Sequence, residues 1–151
     1  MNIGEWGNAT WYMFHTLAFK LKDENSTEIR ELLKHISNVC YNLPCPDCRQ
    51  HAKNTLSRSN LKLIKTKQDL INFLLQFHNL VNRRLKKPVL TLDEHNKLYI
   101  RARTSNIVSH FMHVMSKNSN NSRSMLDSLH RQRVIKQFIS YLNSKHYIFN
   151  P

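Results

Sequence analysis

Cys45-Pro46-Asp47-Cys48 carries the most chemistry of any stretch in this 151-residue sequence. Two residues between thiols at the start of a helix allow a reversible disulfide. The helix N-terminus also favours thiolate, which lowers the pKa of the exposed cysteine. Three readings share this spacing. A zinc site would use Cys45, Cys48 and His51, with Cys40 or a distant histidine as fourth ligand. Structural zinc normally takes paired ligand clusters, however, and no second C-x-x-C is present. A thioredoxin-like motif needs a β-strand leading into it, whereas the preceding residues 28–42 have helical spacing. A redox disulfide in a helical bundle needs an electron acceptor close by. Two buried cysteines without a task would not be flanked by Pro44, Asp47, Arg49 and Gln50.

Two further clusters bear on the acceptor. The run from Trp6 to His15 brings two tryptophans and a histidine within ten residues. Trp11 and His15 are four apart, hence on one helix face. The run from Phe77 to Pro88 puts His78 and Asn82 on one face with Asn79 beside them, and ends in Arg83, Arg84, Lys86 and Lys87. A lone histidine on an apolar helix face is usually a satisfied core residue. Two asparagines, a histidine and a basic end on one stripe are costly to bury without a polar partner.

In this order the three stretches resemble the Erv/ALR family of FAD-linked sulfhydryl oxidases. Its marks are W-G-x-x-x-W-x-x-x-H, a redox C-x-x-C and H-N-x-V-N-x-x-L-x-K-P, and the likeness runs over roughly residues 4–103. The compact form with L-P-C-x-x-C is similar to versions carried by large cytoplasmic DNA viruses. The resemblance implies an all-α protein: a four-helix bundle cradling FAD, a short fifth helix closing the site, and a homodimer. It implies that Cys48 is the thiol beside the flavin ring and that Cys45 exchanges with substrate. Gly7, Asn8, Trp11 and His15 match flavin-contacting positions on the first helix; Phe77, His78, Asn79, Val81, Asn82 and Lys87 match those on the fourth. Tyr99 falls about where the family carries a Trp near the adenine. Lys86, Lys87 and Arg84 suit a pyrophosphate, and the aromatic rings offer stacking surface.

The implied net reaction converts two protein thiols and O2 into a disulfide and H2O2, through a mixed disulfide at Cys45 and internal attack by Cys48. Two departures stand out. Asn8 replaces an Arg common in the family, and no second, shuttle C-x-x-C exists. The expected partner is therefore a thiol-containing substrate, or a thioredoxin-like relay protein, acting in trans. Cys40, the one remaining cysteine, is expected to be a small buried apolar residue.

The elements that must position these residues read as successive amphipathic helices. The spacing predicts a first helix over about 8–22 and a second capped by Ser26 or Thr27 and ending near Asn42. A third starts at Pro46, where a missing N–H has no partner, and runs to about Leu56. A basic stretch over 57–66 follows. The longest helix covers about 67–85, with Leu70, Phe73, Leu74, Phe77, Val81 and Leu85 on one side. Thr91 caps a short segment over 92–103. Helical stretches over 107–115 and 124–142 form an extension, joined by a polar connection at 117–123 expected to be mobile. The expected division is an oxidase-like domain over 1–104 and a helical extension of unassigned role over 105–151.

Composition excludes other classes. Two glycines in 151 residues leave no glycine-rich nucleotide loop and no turn-rich β fold. No apolar run reaches membrane-span length, and Met1 to Trp6 has no signal-peptide character, so the expected location is cytoplasmic: host cytoplasm, or virion if viral. The formal charge is +13, with +5 of it in 105–151. That excess suits polyanions in general, yet few aromatics alternate with the basic residues, so nucleic acid is not an expected partner. No resident metal is expected. The alternative function is a basic helical interaction module with a zinc-stabilised C-P-D-C turn.

Overall fold

A computed structural model describes residues 3–117 and 122–151. The described residues form seven α-helices: α1 (Ile3–Lys20), α2 (Ile29–Cys40), α3 (Pro46–Arg58), α4 (Lys67–Arg84), α5 (Leu92–Tyr99), α6 (Thr104–Met115) and α7 (Ser122–Ser144). The chain is all-α, as expected. The 117–123 connection lies mostly outside the described residues.

Local chemistry explains most boundaries. Pro46 opens α3 with Cys45 as its cap. Thr66 and Thr91 open α4 and α5 with reciprocal capping boxes, closed by Asp69 and Glu94. Other boundaries depart from the sequence reading. α1 begins at Ile3 rather than near Asn8, because Trp6 is buried and its carbonyl accepts a 2.7 Å bond from Thr10 Oγ1. Ser26 and Thr27 do not cap α2. They belong to a 3-10 helix, Asp23–Glu28, whose Ser26 carbonyl serves the N–H of Ile29. Leu85 leaves the apolar stripe and is 48% exposed, since it caps the end of α4.

The end of α4 is a Schellman turn. Lys86 N–H bonds Arg83 O at 3.1 Å and Lys87 N–H bonds Asn82 O at 2.8 Å. Its left-handed residue is Lys86, at φ 57°, where glycine is the usual choice.

α1 is the central helix, lined by α4 and, most extensively, by α6. One core runs from Met13, Phe14 and Leu17 through Leu32, Ile36 and Leu74 to Phe111, Phe138 and Leu142. Residues 105–151 thus share the core. Their end is tied to α1 as well: Leu21 and Phe149 form a bridge, and Asn150 N–H bonds Lys20 O at 2.7 Å. α7 is held on α2 where His35 stacks on Phe138 and Tyr141, and where Glu28 accepts from Tyr141 Oη and Lys145 Nζ, both at 3.0 Å.

Candidate functional site

Cys45 and Cys48 form a disulfide with a Cα–Cα distance of 5.1 Å. Cys45 Sγ takes the cap position of α3 and accepts the Cys48 N–H at 3.2 Å. A helix N-terminus and an N–H donor both favour negative charge on that sulfur when the pair is reduced. Arg49 braces the preceding turn: its Nη1 donates to Leu43 O at 2.8 Å, and its Nη2 lies 3.6 Å from Asp127 on α7.

Cys48, but not Cys45, opens onto a cavity of about 150 Å3 between α1, α3 and α4. α1 contributes Gly7, Asn8 and Trp11 to its wall, and α4 contributes Phe77, His78, Val81 and Asn82, with Lys87 just beyond. Nine of the sequence-predicted cofactor residues, Cys48 included, therefore line one space. A Cβ built on Gly7 would meet no atom within 4 Å, so this position keeps part of the wall open.

His15, Asn79, Lys86 and Tyr99 do not reach the cavity wall. His15 is fully buried behind His78, its Nε2 sharing a 2.8 Å hydrogen bond with His78 Nδ1. His78 in turn stacks on Trp11 with ring centroids 4.3 Å apart. His95 and Tyr99 of α5 close the back of this cluster, their rings 4.9 and 5.2 Å from that of His15. Asn79 braces the loop after α4: its Nδ2 donates to Leu90 O at 2.7 Å and its Oδ1 accepts Leu90 N–H at 2.8 Å. Lys86 is turned aside by its left-handed backbone, and that same turn brings Lys87 to the cavity.

The three histidines are held neutral. Burial, with His78 and His95 nearby, puts His15 well below its ordinary value. Burial and then Lys87 push His78 down to about 4. Burial also lowers His95, against a bond to Asn96 that raises it. Neutral imidazoles offer a donor and an acceptor each, and the buried His15 Nδ1 and His95 Nε2 have no protein partner.

Several wall residues were not assigned to the cofactor from the sequence: Trp6, Thr10 and Phe14 on α1, His51, which had been weighed only as a zinc ligand, and Ala52 on α3, and Leu43 before it. Helical spacing was the available signal, since His51 lies three residues after Cys48 and Thr10 three after Gly7. Cys40 also touches the cavity, yet it is only 2% exposed and burial pushes its thiol up to about 12. It is a protonated, apolar wall atom. At the mouth, Arg84 and Lys87 are exposed cations. Among the described residues, no group of three or more His, Cys, Asp or Glu side chains is arranged to hold a metal ion.

The model of the Erv1 / Alr family matches residues 8–101. An FAD-linked sulfhydryl oxidase of African swine fever virus is 34% identical over 95 residues, covering 62% of this chain and 79% of that protein. A protein of invertebrate iridescent virus 3 named as the same kind of oxidase is 36% identical over 87 residues, which is 56% of this chain and 59% of the relative. The rice FAD-linked sulfhydryl oxidase is 33% identical over 96 residues, 61% of this chain and 47% of that protein. No solved structure matches the chain. The relatives' names lend nothing to a zinc-stabilised interaction module.

Proposed function

The chain belongs to the Erv1 / Alr family, and from that premise we propose that it is an FAD-dependent thiol oxidase that makes disulfides in other proteins. The observation that carries the reading is the disulfide whose Cys48 opens onto the aromatic and histidine-lined cavity while Cys45 does not. The residues present fit the cofactor. Trp11 and Phe77 give ring-stacking surface, Gly7 leaves room for a close approach, and neutral His78 with Asn82 can meet ring or ribose polar atoms. Arg84 and Lys87 stand at the mouth, where a pyrophosphate would be neutralised. An enclosed space of about 150 Å3 takes only part of a dinucleotide and leaves the remainder outside. His15 and Tyr99 support this wall from behind, and Asn79 fixes the loop that carries Lys87.

In this proposal a substrate thiolate attacks Cys45 Sγ, forming a mixed disulfide and releasing Cys48 as thiolate against the cavity. The second substrate thiol, and not Cys48 as the sequence reading had it, then attacks the substrate sulfur in the mixed disulfide, because attack by Cys48 would only re-form the Cys45–Cys48 disulfide and release the substrate reduced. Substrate leaves oxidised, and Cys45 departs as a thiolate stabilised by the Cys48 N–H and the start of α3. Two electrons have then reached the Cys45–Cys48 pair, now a dithiolate, and the two substrate protons have gone to solvent. FAD, when bound, would supply the two-electron acceptor beside Cys48, with O2 as final oxidant and H2O2 as product. Cys40 takes no part in the exchange.

We further propose that residues 1–104 carry this chemistry, with 105–151 supporting them through the shared core. The working form is a homodimer in host cytoplasm or virion, fed in trans by a thiol-bearing protein or a thioredoxin-like relay. Among the described residues no helix is long and apolar enough to cross a membrane. The test is the visible spectrum of the purified protein before and after dithiothreitol is added in air. Flavin bands that bleach while thiol is consumed and peroxide appears are expected. A colourless protein that cannot be loaded with FAD overturns the reading.

A further inference from the structure

A second groove, of about 780 Å3, lies between α2 and the segment joining α3 to α4, and shares no wall residue with the cavity. Its floor is aliphatic: Ile29 and Leu33 from α2, Leu61 and Ile64 from the joining segment. Its rim is cationic: Arg30 and Lys34 on one side, Lys62 and Lys65 on the other, all exposed. Lys34 alone has a carboxylate, Glu31 at 3.8 Å and open to solvent. The other three side chains have no acidic partner among the described residues. Glu28 and Asp69, also close in sequence, are engaged elsewhere, Glu28 by Tyr141 and Lys145, Asp69 by the N–H groups of Lys65 and Thr66.

Four like charges around an aliphatic floor are complementary to a ligand that is acidic and partly apolar. The groove lining contains no aromatic ring, so it lacks the stacking platform that single-stranded nucleic acid uses. Leucine- or isoleucine-type side chains suit this floor.

We propose that this groove docks an acidic, leucine-rich segment of the thiol-bearing protein that the oxidase serves. The proposal rests on the thiol-oxidase reading above. The carboxylates of the segment meet Arg30, Lys34, Lys62 and Lys65, and its aliphatic side chains cover Leu33 and Ile64. α2 carries the groove from its first turn to Ser37, about 5 Å of helix short of Cys40, and the next turn of chain leads to Cys45. A segment lying there runs along the helix whose last residue, Cys40, shares the cavity wall with Cys48. Docking raises the effective concentration of the substrate thiols at Cys45, so it acts on KM and leaves kcat alone.

The experiment uses the full-length, FAD-loaded protein and an Arg30→Glu/Lys62→Glu double variant, both changes being at exposed positions. Three reductants are compared: dithiothreitol, a synthetic Cys-x-x-Cys peptide with an alternating Glu-Leu segment, and the same peptide with Gln for every Glu. The proposal expects the double variant to raise KM for the acidic peptide about tenfold, with kcat and dithiothreitol oxidation unchanged. The Gln peptide should start from the higher KM and not respond to the variant. Fluorescence anisotropy of the labelled, thiol-blocked acidic peptide should show the same loss, and a comparable loss at raised salt. An unchanged KM and unchanged anisotropy overturn the docking proposal. So does short nucleic acid that loses binding in the variant while the peptide does not. If the parent fails to oxidise dithiothreitol, it is the oxidase reading that falls, and the anisotropy arm still tests the groove.

Discussion

Replacing Gly7 with alanine should move stability and cofactor affinity in opposite directions. Gly7 sits inside α1, and an alanine Cβ there would meet no atom within 4 Å. A glycine in a helix interior costs about 0.8–1.0 kcal/mol relative to alanine, so the apoprotein should gain roughly that amount. For a chain of this size this is a rise of about 2–4 °C in Tm. The methyl group lands in the cavity that the proposal gives to FAD, whose enclosed volume is only about 150 Å3. Overfilling a fitted site typically costs about 1–3 kcal/mol, which predicts FAD binding weaker by about 5- to 150-fold. Thermal melts by circular dichroism with and without FAD, and titration of apoprotein followed by flavin fluorescence, read both terms. The variant should melt above the parent without FAD, and in excess FAD it should lose that margin or fall below the parent, because ligand stabilisation scales with affinity. An apo variant less stable than the parent would mean that the space beside Gly7 is not open. An unchanged FAD affinity would refute the assignment of this cavity to the flavin.

Four other predictions follow from the same geometry. His15, His78 and His95 are held neutral below the ordinary histidine value of 6.5. The unfolded chain therefore binds more protons as pH falls through 6.5, and stability present above that pH is lost toward the folded value of about 4 for His78; this one group accounts for at most about 3 kcal/mol. Urea unfolding of the apoprotein across this window should show the loss and a shallower one in His78→Asn; equal profiles would contradict it. Phe138→Ala, at a fully buried position stacked on His35, should cost about 3–5 kcal/mol, whereas a loss below about 1 kcal/mol would mean that 105–151 packs only superficially. Lys86→Gly relieves a left-handed backbone and should raise apoprotein stability by about 1 kcal/mol by denaturant titration; a destabilised variant would show that the lysine side chain outweighs the strain. Cys40→Ala should retain most turnover on a protein dithiol while Cys45→Ser abolishes it, and a large loss in the first would show that Cys40 relays electrons.

Much of this protein was legible in its sequence. Helical periodicity, Pro46 at the start of α3 and the Thr91 cap of α5 act within one or two turns of chain, so the residues concerned announce the element. The three chemistry-bearing stretches could be put in order for the same reason. A stripe of residues, however, states only which side chains share a face, not what faces them. Asn79 and His78 are adjacent, yet one braces Leu90 and the other lines the cavity. Lys86 and Lys87 look equivalent until a left-handed turn sends one aside.

The extension shows the limit most clearly. Its sequence announced two amphipathic helices, but only the fold sets Phe111 and Phe138 into the same core as Phe14 and places Asp127 beside Arg49 next to the disulfide. The basic groove likewise needs Arg30 and Lys62, more than thirty residues apart, brought to opposite banks. Local propensity is decided by neighbours along the chain. The partner of each buried face, and each charge left without one, is decided by contacts between residues distant in sequence, which exist only once the chain has closed on itself.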